Sequence, residues 1–146
     1  MVTQGNFKED LKIGRQIEEA FIDKLKQNNP TAKITHAPDT VFGDWDVMME
    51  VEWKPTLTFE VKYDMLSNST GNVVFEVAYK GKPSWLKTSK ADYRVYYIGK
   101  QFRVCKTILI EKLMLGYEFV KWWDDYNSDL RLVTMDDFKN IFTLYN

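Results

Sequence analysis

Glu60 and Lys62 flank Val61 in Phe59-Glu60-Val61-Lys62, and because strand side chains alternate, a carboxylate and an ammonium would share one face of a strand. Upstream, Gly43-Asp44-Trp45-Asp46-Val47 leads an aspartate into another apolar alternation. Two carboxylates, Asp46 and Glu60, together with a backbone carbonyl such as that of Val61, make an oxygen donor set suited to a hard divalent cation, magnesium above all. A lysine next to such an ion can orient or deprotonate a water and offset developing negative charge. Attack on a phosphodiester needs an activated water, charge relief in the transition state and a stabilised leaving oxygen, and one metal ion serves all three needs. Taken singly, each of these residues reads better as part of a charged ladder on a solvated strand; the case for a site rests on the three together.

Whether they meet depends on two strands. Val47, Met49 and Val51 alternate with Asp46, Met48, Glu50 and Glu52, and Leu57, Phe59 and Val61 alternate with Thr58, Glu60 and Lys62. A hairpin that keeps both apolar sets on one face must pair even-numbered residues with even-numbered ones, because a slip of one turns a strand over. A short turn around Lys54-Pro55 then sets Asp46 opposite Lys62 and Met48 opposite Glu60. Asp46 is the best-placed first carboxylate; Asp44 and Asp39, the latter in a literal Pro38-Asp39 pair upstream, are the alternatives.

The surrounding elements follow from periodicity. Ile13, Ile17, Ala20, Phe21 and Leu25 form one stripe at helical spacing, predicting a first helix from Phe7 to about Gln27 that Asn28-Asn29-Pro30 ends. Glu18 borders that stripe and Glu19 points away from it. Thr31 to Ala37 reads as a short edge strand, and Asn72 to Tyr79 as a third main strand carrying Val73, Phe75, Val77 and Tyr79, with Glu76 on its other face. Pro83-Ser84 opens a short helix through about Lys90. Tyr93 to Ile98 and Phe102 to Lys106 are strands, Ile108 to about Gly116 is a helix, Arg131-Leu132-Val133 is a short strand, and Thr134 caps a final helix.

The composition bounds the reading. With 146 residues, 45% of them apolar and 28% charged, the chain is expected to form one globular domain. Its net charge of −1 excludes a broadly cationic coat and leaves nucleic-acid contacts to local patches, the densest being Lys80, Lys82, Lys87 and Lys90. The first residues lack the pattern of a secretory signal, and no apolar run approaches the roughly 18 residues of a spanning helix, so a cytoplasmic location without membrane contact is expected. The single cysteine, Cys105, reads as a small apolar strand residue, and His36 lacks partners at zinc-ligand spacing.

The order of elements, with an acidic residue ahead of strand-borne Glu60-Val61-Lys62, resembles the PD-(D/E)XK nuclease superfamily. Asn72-Val73-Val74-Phe75-Glu76-Val77, Lys80-Gly81-Lys82-Pro83-Ser84 and Thr88-Ser89-Lys90-Ala91-Asp92-Tyr93 look like its small phage-encoded members. The resemblance implies an α/β (α+β) fold with a restriction-endonuclease-like αβββαβ core. That core would be a mixed central sheet flanked by helices, over about residues 7–98, with a C-terminal extension over 99–146. It implies a metal-dependent DNA endonuclease, in the host cytoplasm if phage-encoded, acting on branched or recombination DNA like some small members. Asp46, Glu60 and Lys62 would be catalytic, and Asp46, Glu60 and the Val61 carbonyl would hold Mg2+, with Mn2+ as a substitute. Glu18 and Glu76 are additional candidates, and Lys87 and Lys90 candidate DNA contacts. A homodimer would supply two active sites, and no nucleotide cofactor is expected. A catalytically inactive nucleic-acid-binding or protein-interaction module of the same fold is the alternative.

Overall fold

The computed structural model describes residues 4–37, 45–63, 71–79, 82–83, 90–114, 119–121 and 128–146. Asp39, Asp44 and Lys87 lie outside the described residues. The elements run α1 (Gln4–Asn28), β1 (Lys33–His36), β2 (Val47–Glu50), β3 (Leu57–Tyr63), β4 (Asn72–Tyr79), β5 (Lys82–Pro83), β6 (Tyr93–Ile98) and β7 (Gln101–Lys106). They continue with α2 (Thr107–Met114), β8 (Phe119–Lys121), β9 (Ser128–Thr134), α3 (Met135–Ile141) and β10 (Thr143–Tyr145). No helix among the described residues is long and apolar enough to cross a membrane.

Ile17, Phe21 and Leu25 recur every four residues, so α1 buries one stripe. Ala20, expected within it, is exposed on the flank. The helix stops where the Asn29 side chain donates to the Leu25 carbonyl at 3.0 Å, satisfying a carbonyl of the last turn, and Pro30 follows. Phe21 is the keystone of the packing: its ring meets Phe59 edge-on at 5.3 Å and lies 5.4 Å from Phe102 and 5.6 Å from Tyr145.

The helix covers one face of a six-stranded mixed sheet in the order β1-β2-β3-β6-β7-β10. All neighbours pair antiparallel except β3 and β6, which run parallel. Asp92 sets the register of that parallel pair. Its carboxylate accepts from both the Thr58 backbone N–H, at 2.9 Å, and the Thr58 hydroxyl, while its own N–H donates back to the Thr58 hydroxyl. Two residues further along, Glu60 is aligned with Arg94.

A second sheet, β5-β4-β9-β8, is antiparallel throughout. Val73, Phe75 and Val133 from this sheet join Phe138 and Phe142, at and just after α3, against Tyr96, Ile98 and Cys105, forming a core on the sheet face away from α1. Thr134 caps α3, its hydroxyl accepting from the Asp137 N–H at 3.3 Å, as the sequence predicts.

One expectation changes. The three antiparallel strands of the main sheet are β1, β2 and β3; β4, read as the third of them, leaves the sheet and pairs with β9 instead. Alternation makes a strand but does not choose its partner, and the short run Lys33–His36 takes the outer place. Pro83 lies in strand β5, and the helix expected to follow it falls on residues 84–89, outside the described residues.

The β2–β3 turn is closed by a Lys54 N–H donating to the Val51 carbonyl at 3.1 Å, with Trp53 at φ 66° and 95% exposed. Phe21→Ala should lower the unfolding free energy by about 3–5 kcal/mol in urea titrations. Trp53→Gly, by contrast, should raise it by about 1 kcal/mol, because glycine adopts the left-handed conformation without strain.

Candidate active site

Phe59 and Val61 face α1, so alternation sends Glu60 and Lys62 to the opposite face. Asp46 stands just ahead of β2. Its backbone N–H donates to the Phe59 carbonyl at 2.9 Å, and its carboxylate Oδ2 accepts the Val61 N–H at 2.8 Å. The side chain thus takes up a backbone donor beyond the last pair of the ladder and ties its own position to Val61. The Glu60 Oε1 lies 3.8 Å from the Lys62 Nζ, and its Oε2 lies 3.9 Å from the Arg94 Nε. Exposure grades across the group: the Arg94 side chain is fully buried, that of Glu60 is 15% exposed and that of Lys62 45% exposed.

The register keeps the parity expected of the hairpin but differs by two residues. Val47 pairs with Phe59, Met48 with Thr58 and Met49 with Leu57, so the step beyond brings Asp46 beside Glu60, not Lys62. Met48 correspondingly faces Thr58 in place of Glu60. The cause is the turn, which closes over Val51–Lys54 and places Trp53, rather than Lys54-Pro55, at its apex. The shift brings Asp46, at the end of the ladder, level with Glu60 and leaves Lys62 one pair further out.

Glu18 approaches from α1. Its Oε2 is 2.9 Å from the His36 Nε2 at the end of β1. Burial raises the Glu18 pKa above the ordinary carboxylate value; the hydrogen bond from His36 opposes this, and the nearby negative charge of Asp46 adds to the rise. Glu18 and Asp46 are therefore electrostatic neighbours across the end of the sheet. Cys105 lies in the second core, where burial pushes its thiol up to about 11 and keeps it protonated.

The remaining candidates stand apart or outside the described residues. Glu76 sits on β4 opposite Leu130, in the second sheet, beside the register irregularity between Glu76 and Ala78. Lys90 is exposed on the approach to β6. Among the described residues no three His, Cys, Asp or Glu side chains gather into a ready-made metal cage. Asp46 and Glu60 nonetheless suit a magnesium ion, which is commonly held by one or two carboxylates with waters and phosphate oxygens completing its shell.

Arg94 is the site residue that sequence reasoning missed. Its signal was available: it is the lone charge in Tyr93-Arg94-Val95-Tyr96-Tyr97-Ile98, and a buried charge requires a counter-charge. That counter-charge, Glu60, became visible only with the parallel pairing.

No family model matches the chain, and no curated protein matches it by sequence. Among solved structures, a bacterial homing endonuclease is similar over 84% of this chain and 77% of its own, with 20% identity and a TM-score of 0.51. A nuclease from a fusselovirus aligns over 93% of this chain and 86% of its own, with 12% identity and a TM-score of 0.44. The first likeness bears out the mixed α/β fold, a mixed central sheet with helices against it.

Because the Glu18 pKa is raised in the folded protein, the folded state holds the proton more tightly than the unfolded chain, and stability from this group falls as pH rises from 4.5. Glu18→Gln removes that dependence. The urea midpoint of the variant, measured relative to native protein at successive pH values above 4.5, should therefore rise with pH.

Proposed function

We propose that the protein is a metal-dependent DNA endonuclease that hydrolyses phosphodiester bonds, and that it belongs with the PD-(D/E)XK nucleases. The observation that carries this reading is the hydrogen bond from the Val61 N–H to the Asp46 carboxylate, which ties Asp46 to the strand that carries Glu60 and, 3.8 Å from it, Lys62. The fold shared with a homing endonuclease supports it.

Asp46 and Glu60 would hold Mg2+, with Mn2+ as a substitute and the Val61 carbonyl as a third donor. When bound, the ion supplies Lewis-acid stabilisation of the phosphate and lowers the pKa of a water. The chain's own residues do the rest. The Val61 N–H occupies one Asp46 oxygen and orients the carboxylate, leaving its other oxygen for the site. Lys62, about half exposed, reaches outward from the buried side of the group and is placed to orient the attacking water and to offset charge on the phosphate. Lys87 and Lys90 would contact the DNA backbone, positioning it without reading its sequence. Branched or recombination DNA is the proposed substrate class, and a homodimer the proposed assembly, acting in the cytoplasm.

Linear, single-stranded and four-way-branched DNA should be incubated with the protein in Mg2+ or Mn2+. Cleavage by the native protein should fall by at least about a hundredfold in Asp46→Asn, Glu60→Gln and Lys62→Ala. Native levels of cleavage in all three variants would sink the assignment. Retained DNA binding without any cleavage by the native protein would show instead an inactive binding module.

A further inference from the structure

Among the described residues three large apolar side chains are left exposed: Trp53 at 95%, Ile108 at 66% and Leu109 at 47%. All three gather at one end of the six-stranded sheet. Trp53 is in the turn between β2 and β3, and Ile108 and Leu109 stand in the first turn of α2, directly after β7 ends at Lys106. The register brings those places together, since Met49 pairs with Leu57 at that end, Phe59 with Tyr93, and Tyr93 with Lys106. Asp46 lies beyond the other end of β2, so this surface is separate from the candidate active site.

The surface has two parts of opposite shape. Trp53 projects from the turn at φ 66°, a left-handed conformation unfavourable for any residue with a Cβ, and at its exposure no packing within the chain offsets that cost. Beside it is an open recess of about 380 Å3, lined by Leu57, Ala91, Tyr93 and Ile108 together with the exposed Asp92 and Lys106. Neighbouring strands lie about 5 Å apart, so the turn and the recess are separated by about 10 Å. Their charges are complementary as well. Exposed Glu52 and Lys54 flank Trp53, so a tip seated in a recess can set Glu52 against Lys106 and Lys54 against Asp92. Glu52, Lys54 and Lys106 form no ion pair among the described residues of their own chain.

From this arrangement we infer that this end of the sheet is a two-fold interface with a second copy of the chain, in which Trp53 of each copy fills the recess of the other. The inference gives the homodimer proposed above its surface and does not depend on cleavage. A two-fold contact requires one patch to carry both the projecting group and the place that receives it, and here the two stand side by side. A phosphate backbone fits less well, because acids and bases alternate across the patch where nucleic acid calls for clustered cations. Tryptophan seated in a desolvated pocket is a common centre of binding energy, and the flanking charge pairs fix its orientation.

Sedimentation equilibrium across micromolar concentrations, without metal or DNA, tests this. Native protein should show an association that stops at two chains. Trp53→Gly, whose single chain is relieved of the left-handed strain, should nevertheless raise the dimer dissociation constant at least about a hundredfold. Glu52→Lys and Lys106→Glu should each weaken the dimer by about tenfold, and the double variant should return it to within about threefold of native. Native protein that stays monomeric, a dimer that Trp53→Gly leaves unweakened, or a double variant no tighter than its two parents would each overturn the inference. Should a charge variant fail to fold by circular dichroism, Trp53→Gly alone decides. Monomeric native protein whose DNA affinity falls in Trp53→Gly would assign the surface to nucleic acid and overturn the inference. Loss of the interface leaves the nuclease reading standing, whereas a native protein that dimerises through Trp53 but never cleaves DNA removes that reading alone.

Discussion

Strand β3 is gripped from two sides by different kinds of pairing, and the site depends on both grips holding one register. On one side β2 runs antiparallel to it, and the Asp46 carboxylate adds a bond to the Val61 N–H just past the ladder. On the other side β6 runs parallel, locked at its start by the Asp92–Thr58 hydrogen bonds. Phe59 and Val61 are pressed against α1 by the same strand that turns Glu60 and Lys62 away. The burial that stabilises the fold is thereby also what aims the polar side chains.

The electrostatics follow from that aim. Two carboxylates brought together repel and would favour protonation of one of them. Here Arg94 and Lys62 stand close to Glu60, and Asp46 accepts an N–H, so each carboxylate has a favourable partner. Glu18, half-buried beside His36 and within range of the Asp46 charge, is a carboxylate whose ionisation the surroundings resist.

Much of this was legible in the sequence because it is local. The four-residue spacing of Ile17, Phe21 and Leu25 identified the α1 face, and the alternation around Phe59 and Val61 assigned Glu60 and Lys62 to one side. Parity, being a property of each strand, was read correctly. The two-residue offset was not, because it depends on which residues close the turn, and Trp53 at φ 66° gives no compositional warning of the kind glycine would. The partner of β4 was hidden for a related reason: Val73 and Phe75 declare a buried face, but β9 lies on the far side of the long stretch between Tyr79 and Ser128. Arg94 was overlooked because its significance lies in a neighbour on another strand.

The pairing of β2 with β3 has a genetic corollary. Gain or loss of a single codon between Val47 and Glu60 must either be expelled as a bulge or invert the remainder of a strand, exchanging Glu60 for an apolar neighbour on the sheet face. Changes of two codons preserve the alternation and can be absorbed at the apex, where Trp53 is already in solvent. In a population of related genes, length variation in this hairpin should therefore fall in steps of two, concentrated at the apex.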